Sequence, residues 1–265
     1  MSNARPAVYP APTTTGPVTK PAPHPPAPPV DPSPNPATEH KDEHGVVAHH
    51  FEDLAQQQEA NRLGLWVFLA TEVLFFGVLI TGYIVFRSVY PTTFLAGSQH
   101  LNVLLGTLNT AILLTSSLLV AFAVHAASQL SEVWQRPAEA AKKRRQVMLL
   151  LLATAALGLI FLGIKAYEYY VDYEEGLIPG FNFRWEGTDD RQAQLFFTLY
   201  FITTGMHALH MIIGIVIAVI MACLAQWRRW YDRDPMPVEL YGLYWHFVDI
   251  VWIFVFPFYY LIGRT

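Results

Sequence analysis

Inside the most apolar stretches of this chain stand a few side chains that can hold or share a proton. Glu72 is the one charged residue of the 22-residue run Leu65–Phe86. Gly205-Met206-His207-Ala208-Leu209-His210 carries two imidazoles three residues apart, which places both on one face of a helix. Tyr244-Trp245-His246-Phe247-Val248-Asp249-Ile250-Val251-Trp252 carries Trp245, His246, Asp249 and Trp252 at i, i+1, i+4 and i+7, one polar-aromatic stripe. Lys165 and Glu168 are also three apart and can pair within a helix. Polar groups in hydrocarbon are costly unless neutralised or paired, so these residues have two readings. One is a proton pathway or redox site. The other is interhelical hydrogen bonding that fixes a bundle.

A membrane haem requires axial histidines on opposite sides of one ring. His207 and His210 share a face and do not supply them. His125 and His246, toward the same end of their apolar runs, could in principle meet, but a hydrogen-bonding role is the commoner use of such residues. His40, His44, His49 and His50 cluster near the start of the chain in a spacing that matches no ligand pattern. A single cysteine, Cys223, excludes an internal disulfide and a cysteine-ligated cluster. No residue is assigned a catalytic or metal-binding role.

The elements that must position these groups follow from composition. The 265 residues are 53% hydrophobic and only 14% charged, against about 25% charged in a soluble domain, which marks a membrane protein. A net charge of −4 gives no sign of a nucleic-acid partner. Five apolar spans are predicted, near 63–88, 101–130, 147–171, 195–224 and 242–262, each long enough at about 1.5 Å per residue to cross a hydrocarbon core of roughly 30 Å. The fold class is therefore all-α, a polytopic bundle of five membrane helices.

At that rise Glu72 lies roughly 14 Å and Asp249 roughly 11 Å from the same side of the membrane, so Glu72, His210 and Asp249 could meet at similar depth. Short connections predict that consecutive helices are antiparallel neighbours. Gly77, Gly82, Gly158, Gly163, Gly205 and Gly214 are the small residues expected at helix contacts.

Before the spans, residues 1–37 hold thirteen of the nineteen prolines and predict a disordered, extended tail, and 38–62 form a polar lead-in. The first residues lack a charged-then-apolar signal pattern, so no cleavage is expected. Arg136 and Lys142 to Arg145, with Arg228, Arg229 and Arg233, fall in the second and fourth connections, while Glu174, Glu175, Glu186, Asp189 and Asp190 crowd the third. This asymmetry places the N-terminus inside and the C-terminus outside. Trp66, Trp134, Trp227, Trp230 and Trp245, with Tyr169-Tyr170, fall near span ends as an interfacial belt.

Taken in order, these motifs resemble one family. Thr71-Glu72-Val73-Leu74-Phe75-Phe76 is similar to the Ser-Glu-Val-Leu-Phe-Phe signature of cytochrome c oxidase subunit III. Leu108-Asn109-Thr110, Glu168-Tyr169-Tyr170, the His207–His210 segment and the Tyr244–Trp252 segment follow in the family's order, so the resemblance covers residues 49–265. It implies a non-catalytic core subunit of a haem–copper terminal oxidase in a bacterial inner membrane, part of aerobic respiration coupled to proton pumping. The haems and copper would reside in partner subunits and none in this chain.

The resemblance further implies packing against oxidase subunits I and II, bound phospholipid, and support of proton uptake. The family's buried carboxyl maps onto Glu72 and its histidine pair onto His207 and His210. His49 and His50 stand where the family contacts lipid headgroups, and Arg62 and Trp66 are expected as further lipid contacts. The mitochondrial form has seven spans, whereas five-span forms occur among bacterial cytochrome c and quinol oxidases. Lys165 stands where many relatives carry a neutral residue.

The tail could touch another respiratory complex. Two rival readings remain. One is an equivalent subunit of a quinol oxidase or nitric oxide reductase. The other is a stand-alone proton or ion carrier built around Glu72.

Overall fold

A computed structural model describes residues 54–262 apart from 134, 182, 186–188 and 228–234, together with the antiparallel pairs 41–42 and 45–46. The Pro-rich tail, the histidines from His40 to His50, Trp134 and Trp230 lie outside the described residues. The two pairs are β1 (Lys41–Asp42) and β2 (Gly45–Val46), with Lys41 opposite Val46. Everything else with regular structure is helical: α1 (Leu54–Val89), α2 (Pro91–His100), α3 (Val103–Val133), α4 (Pro137–Glu174), α5 (Asp190–Trp227) and α6 (Met236–Phe256), with one π-helical turn at Pro257–Leu261.

Five of these helices, all but α2, are long and apolar enough to cross a membrane. The helices α3, α4, α5 and α6 form the packed core, each touching its sequence neighbour, and α6 closes the set by returning to α3. The first helix departs from the expected order. It packs chiefly on α5 and α6 rather than on α3, with α2 standing in the chain between α1 and α3. Only 11% of α1's most apolar window is buried, against 56% for α6. Its buried side is a thin stripe of Leu69, Phe76 and Tyr83, spaced by seven residues. A single seam of that period is what two helices crossing at a shallow angle bury.

Helix α2 has no counterpart in the apolar pattern. Ten residues are too few for a periodic signal, but Pro91 at its first position favours a helix start. Gly97 lets it lie against the ring of Phe196, and Ser98 Oγ donates to the Tyr259 carbonyl at 2.7 Å. That carbonyl belongs to the π-helical turn, whose irregular ladder frees carbonyls for side-chain donors. Tyr83 OH donates to Phe258 O (2.6 Å), and Arg87 donates to Ile262 O (3.0 Å) and to Tyr83 OH (3.2 Å). Thus α1, α2 and the turn after α6 are tied at one end of the bundle, around the tilted and edge-on rings of Tyr83, Phe94, Phe196 and Tyr259.

Three expectations are corrected. The basic cluster Lys142–Arg145 is not in a loop but on the first turns of α4, which starts at Pro137 and runs through good helix formers. Trp245 is not interfacial. It is fully buried, its indole donates to Ser116 Oγ at 3.1 Å, and Gly158 of α4 and Gly214 of α5 both face its ring. Those two glycines serve helix contact as expected, whereas Gly77, Gly82 and Gly163 face open space and Gly205 has only an ordinary contact with Tyr169. Gly77 and Gly82 sit on the exposed helix, where close approach has no partner. Gly106 against Phe256 and Gly242 against Val124 take that role at the α3–α6 seam.

Candidate functional site

Glu72 follows Leu69 by three residues and precedes Phe76 by four, so it lies on the one stripe α1 turns toward the bundle. There it meets His210 of α5, with Nε2 and Oε2 3.1 Å apart and side-chain exposures of 18% for Glu72 and 10% for His210. The other imidazole nitrogen fixes the chemistry. His210 Nδ1 lies 2.8 Å from the Met206 carbonyl, which can only accept, so Nδ1 carries a hydrogen. A neutral His210 then presents Nε2 as an acceptor, and Glu72 must bring the proton. Alternatively His210 is doubly protonated and Glu72 ionised. Either way one proton is shared across the α1–α5 contact. Phe76 stands edgewise on the imidazole at 5.4 Å, and Tyr244 OH donates to the His210 carbonyl at 2.9 Å, fixing that turn of α5 from α6.

Asp249 does not join this pair, contrary to the expected meeting at one depth. Tyr244 and Asp249 are five residues apart, about 140° around α6, so only one of them faces α1 and α5. Asp249 faces α3 with the rest of its stripe. Trp252 Nε1 donates to Thr110 Oγ1 at 3.1 Å, His246 Nδ1 and Ser117 Oγ are 2.6 Å apart, and Asp249 lies beside Ser117. The Ser117 hydroxyl is aligned on His246, and neither Asp249 oxygen meets hydrogen-bond geometry with a described residue. The stripe on α6 is thus matched by a stripe of small hydroxyls on α3.

The histidine pair also separates. Three residues put His207 about 60° from His210 around α5, enough to turn it to a different neighbour. His207 is fully buried between Phe161 (5.5 Å) and Trp252 (5.1 Å), and neither of its nitrogens has a hydrogen-bond partner among the described residues. His125 and His246 do not face each other. His125 is exposed and hydrogen-bonds Gln129 at 3.0 Å, while His246 sits at Ser117, about 12 Å away along α3. Among the described residues no three His, Cys, Asp or Glu converge as a metal-ligand set.

A second polar centre lies nearer the other end of α4. Lys165 Nζ is 3.0 Å from Glu168 Oε2 and 2.9 Å from each of the Tyr200 and Tyr260 hydroxyls, and both charged side chains are buried. Tyr260 OH reaches Glu168 Oε1 at 3.3 Å, and Tyr200 and Tyr260 are 3.1 Å apart. Four aromatic rings stand 5.0–5.6 Å from the ammonium. The Lys165–Glu168 spacing was readable in sequence. For Tyr200 and Tyr260 the sequence offers only a hydroxyl on an otherwise apolar face. Asn109, also unassigned, is wholly buried, and no described residue satisfies its amide.

Of the residues expected at lipid headgroups, Arg62 and Trp66 lie one turn apart on the exposed start of α1, and His49 and His50 fall outside the described residues.

Comparison with known proteins agrees with this arrangement. A sequence model of the family described as cytochrome c oxidase subunit III matches residues 43–264. A probable quinol oxidase subunit 3 of Staphylococcus aureus is 29% identical over 208 residues, covering 78% of this chain and 91% of its own length. A cytochrome c oxidase subunit 3 of Thermostichus vulcanus is 30% identical over 205 residues, covering 76% of this chain and 87% of its own. With five membrane-length helices and a family match over residues 43–264, the chain belongs to the cytochrome c oxidase subunit III family of the haem–copper oxidases.

Proposed function

We propose that this chain is a non-catalytic subunit that supports proton uptake by the subunit I it packs against and carries no redox centre of its own. The observation behind this reading is the Glu72–His210 contact, a protonatable pair joining a sparsely packed helix to the bundle. A pair that shares one proton is net neutral, and a charge that arises on one partner when a proton enters or leaves still meets a hydrogen-bonding neighbour in hydrocarbon. The haems and copper belong to the partner subunits in this reading. Phospholipid lies along the exposed start of α1, where Arg62 offers a charge and Trp66 an amphipathic ring. The complex sits in a bacterial inner membrane with the start of α1 on the cytoplasmic side, as the lysines and arginines at the start of α4 favour.

The Glu72→Gln variant tests the role. Glutamine keeps a donor for His210 Nε2, so assembly is retained, and the expected result is altered proton-pumping stoichiometry or faster loss of activity during turnover. Unchanged values for both would remove the proton role. The relatives' names divide between quinol and cytochrome c oxidases, so the electron donor is read from the partner: a dinuclear copper site in subunit II marks the cytochrome c type.

A further inference from the structure

We propose that the end of the bundle where α3 meets α4 binds the phosphate headgroup of an anionic phospholipid of the phosphatidylglycerol class. Two observations carry this: an ordered relay of hydrogen-bond donors, and an exposed apolar track beneath it.

The relay joins the two helices. Lys143 of α4 reaches across to α3, where its Nζ donates to Gln129 Oε1. An ammonium can only donate, so the amide oxygen of Gln129 must face it and the amide nitrogen must serve the other neighbour. That nitrogen lies 3.0 Å from His125 Nε2, which therefore accepts and leaves the ring hydrogen on Nδ1. The relay thus ends in an ammonium on α4 and in the N–H of an exposed imidazole on α3. A phosphate, which offers several acceptor oxygens, complements both ends.

The neighbouring charges favour the same ligand. Between Glu132 and Arg145 five basic residues stand against two acidic ones, and Glu139 is already paired with Arg136 at 3.4 Å. Lys142 and Arg145 are exposed three residues apart on one face of α4, and no ion pair within the described residues reaches Lys142, Lys143 or Arg145. Like charges at that spacing repel, and an anion between them relieves the repulsion.

Depth selects the source of the phosphate. Lys143 precedes Val147, where the apolar run of α4 begins, by four residues or about 6 Å, which is the thickness of a headgroup layer. Exposed apolar side chains continue inward on both helices, with Leu149 and Leu152 following Arg145 and with Phe122 and Leu118 beneath His125. Spacings of three, four and seven residues keep each set on one helix face. Acyl chains fit that track, whereas a free anion makes no use of it. The positive-inside bias accounts for the sign of charge at this end but requires no relay between Lys143 and His125. Basic clusters beside a membrane helix attract anionic lipid. Because α1 packs chiefly on α5 and α6, this surface is separate from the start of α1, where Arg62 and Trp66 stand.

The test uses the whole complex purified through a tag on this chain, stripped of lipid in detergent and titrated with phosphatidylglycerol or phosphatidylcholine. Bound lipid is counted by native mass spectrometry, a readout independent of oxidase activity. Lys142→Gln/Lys143→Gln is expected to weaken one phosphatidylglycerol site about thirtyfold and to leave phosphatidylcholine binding unchanged. Arg62→Gln is expected to leave that site as it was, and its loss in Arg62→Gln would assign the lipid to α1 and overturn the inference. Equal weakening of both lipids would also overturn it, since the surface would then read no charge. So would displacement of phosphatidylglycerol by an equal concentration of inorganic phosphate, which would mark a free-anion site. Unchanged affinity overturns it as well, and a subunit lost from the variant at unchanged affinity would mark an acidic protein partner instead. If the double variant fails to assemble, Arg145→Gln at the exposed face decides, with about fivefold weaker phosphatidylglycerol binding expected and unchanged binding contradicting the site.

Discussion

At the scale of residues, two buried pairs behave differently because their geometry differs. Glu72–His210 joins two helices and stays partly exposed, so a neutral substitute can replace one partner. Lys165–Glu168 is enclosed and held by two tyrosines. Lys165→Met should therefore leave Glu168 uncompensated, at a cost of about 3–5 kcal/mol. Thermal unfolding of the complex should show that loss and its substantial recovery in Lys165→Met/Glu168→Leu, where no charge is left buried. A double variant as unstable as the single one would contradict the ion-pair account. His210→Phe fills the imidazole's place but gives Glu72 no partner, and the expected result is weaker retention of subunit I through detergent washing, with Glu72→Gln/His210→Phe closer to normal. Spacing alone announced Lys165–Glu168, because a pair within one helix needs no tertiary information. It did not show that Asp249 belongs with Ser117, since depth along the membrane does not fix which way a residue is turned about α6.

Among elements, the decisive contacts are glycine recesses. Gly158 and Gly214 admit the Trp245 ring from two sides, and a Cβ built at either would meet that ring or Ile215 within about 3 Å. Gly214→Val should lower the unfolding temperature and disturb the α5–α6 contact, whereas Gly77→Val, facing open space, should leave the fold intact. Differential scanning fluorimetry in detergent compares the two directly, and equal effects would contradict the packing described. The five long helices were legible because each is an unbroken apolar run longer than a bilayer requires. Helix α2 was not, being ten residues of mixed polarity stabilised by Phe196 and the Tyr259 carbonyl, partners far away in sequence. The π-helical turn escaped for a similar reason. Pro257 signals an irregularity there, but the side chains that take its carbonyls come from α1 and α2.

For the whole molecule, the proposed role rests on the contrast between a packed four-helix core and a peripheral α1. Leu74 and Val78 on α1 are each 71% exposed, on the same helix as Glu72. An apolar helix with one protonatable contact suits a place between this bundle and a membrane neighbour, where the proton can be offered to chemistry next door. Family membership was readable from motifs in order, whereas the packing of α1 on α5 and α6 needed the fold. The most direct measurement is purification through a tag on this chain, with identification of copurifying subunits and a reduced-minus-oxidised optical spectrum. The account predicts stable copurification of a haem–copper subunit I with its haem signals. A chain that purifies alone, without haem, and conducts protons by itself in liposomes would contradict it.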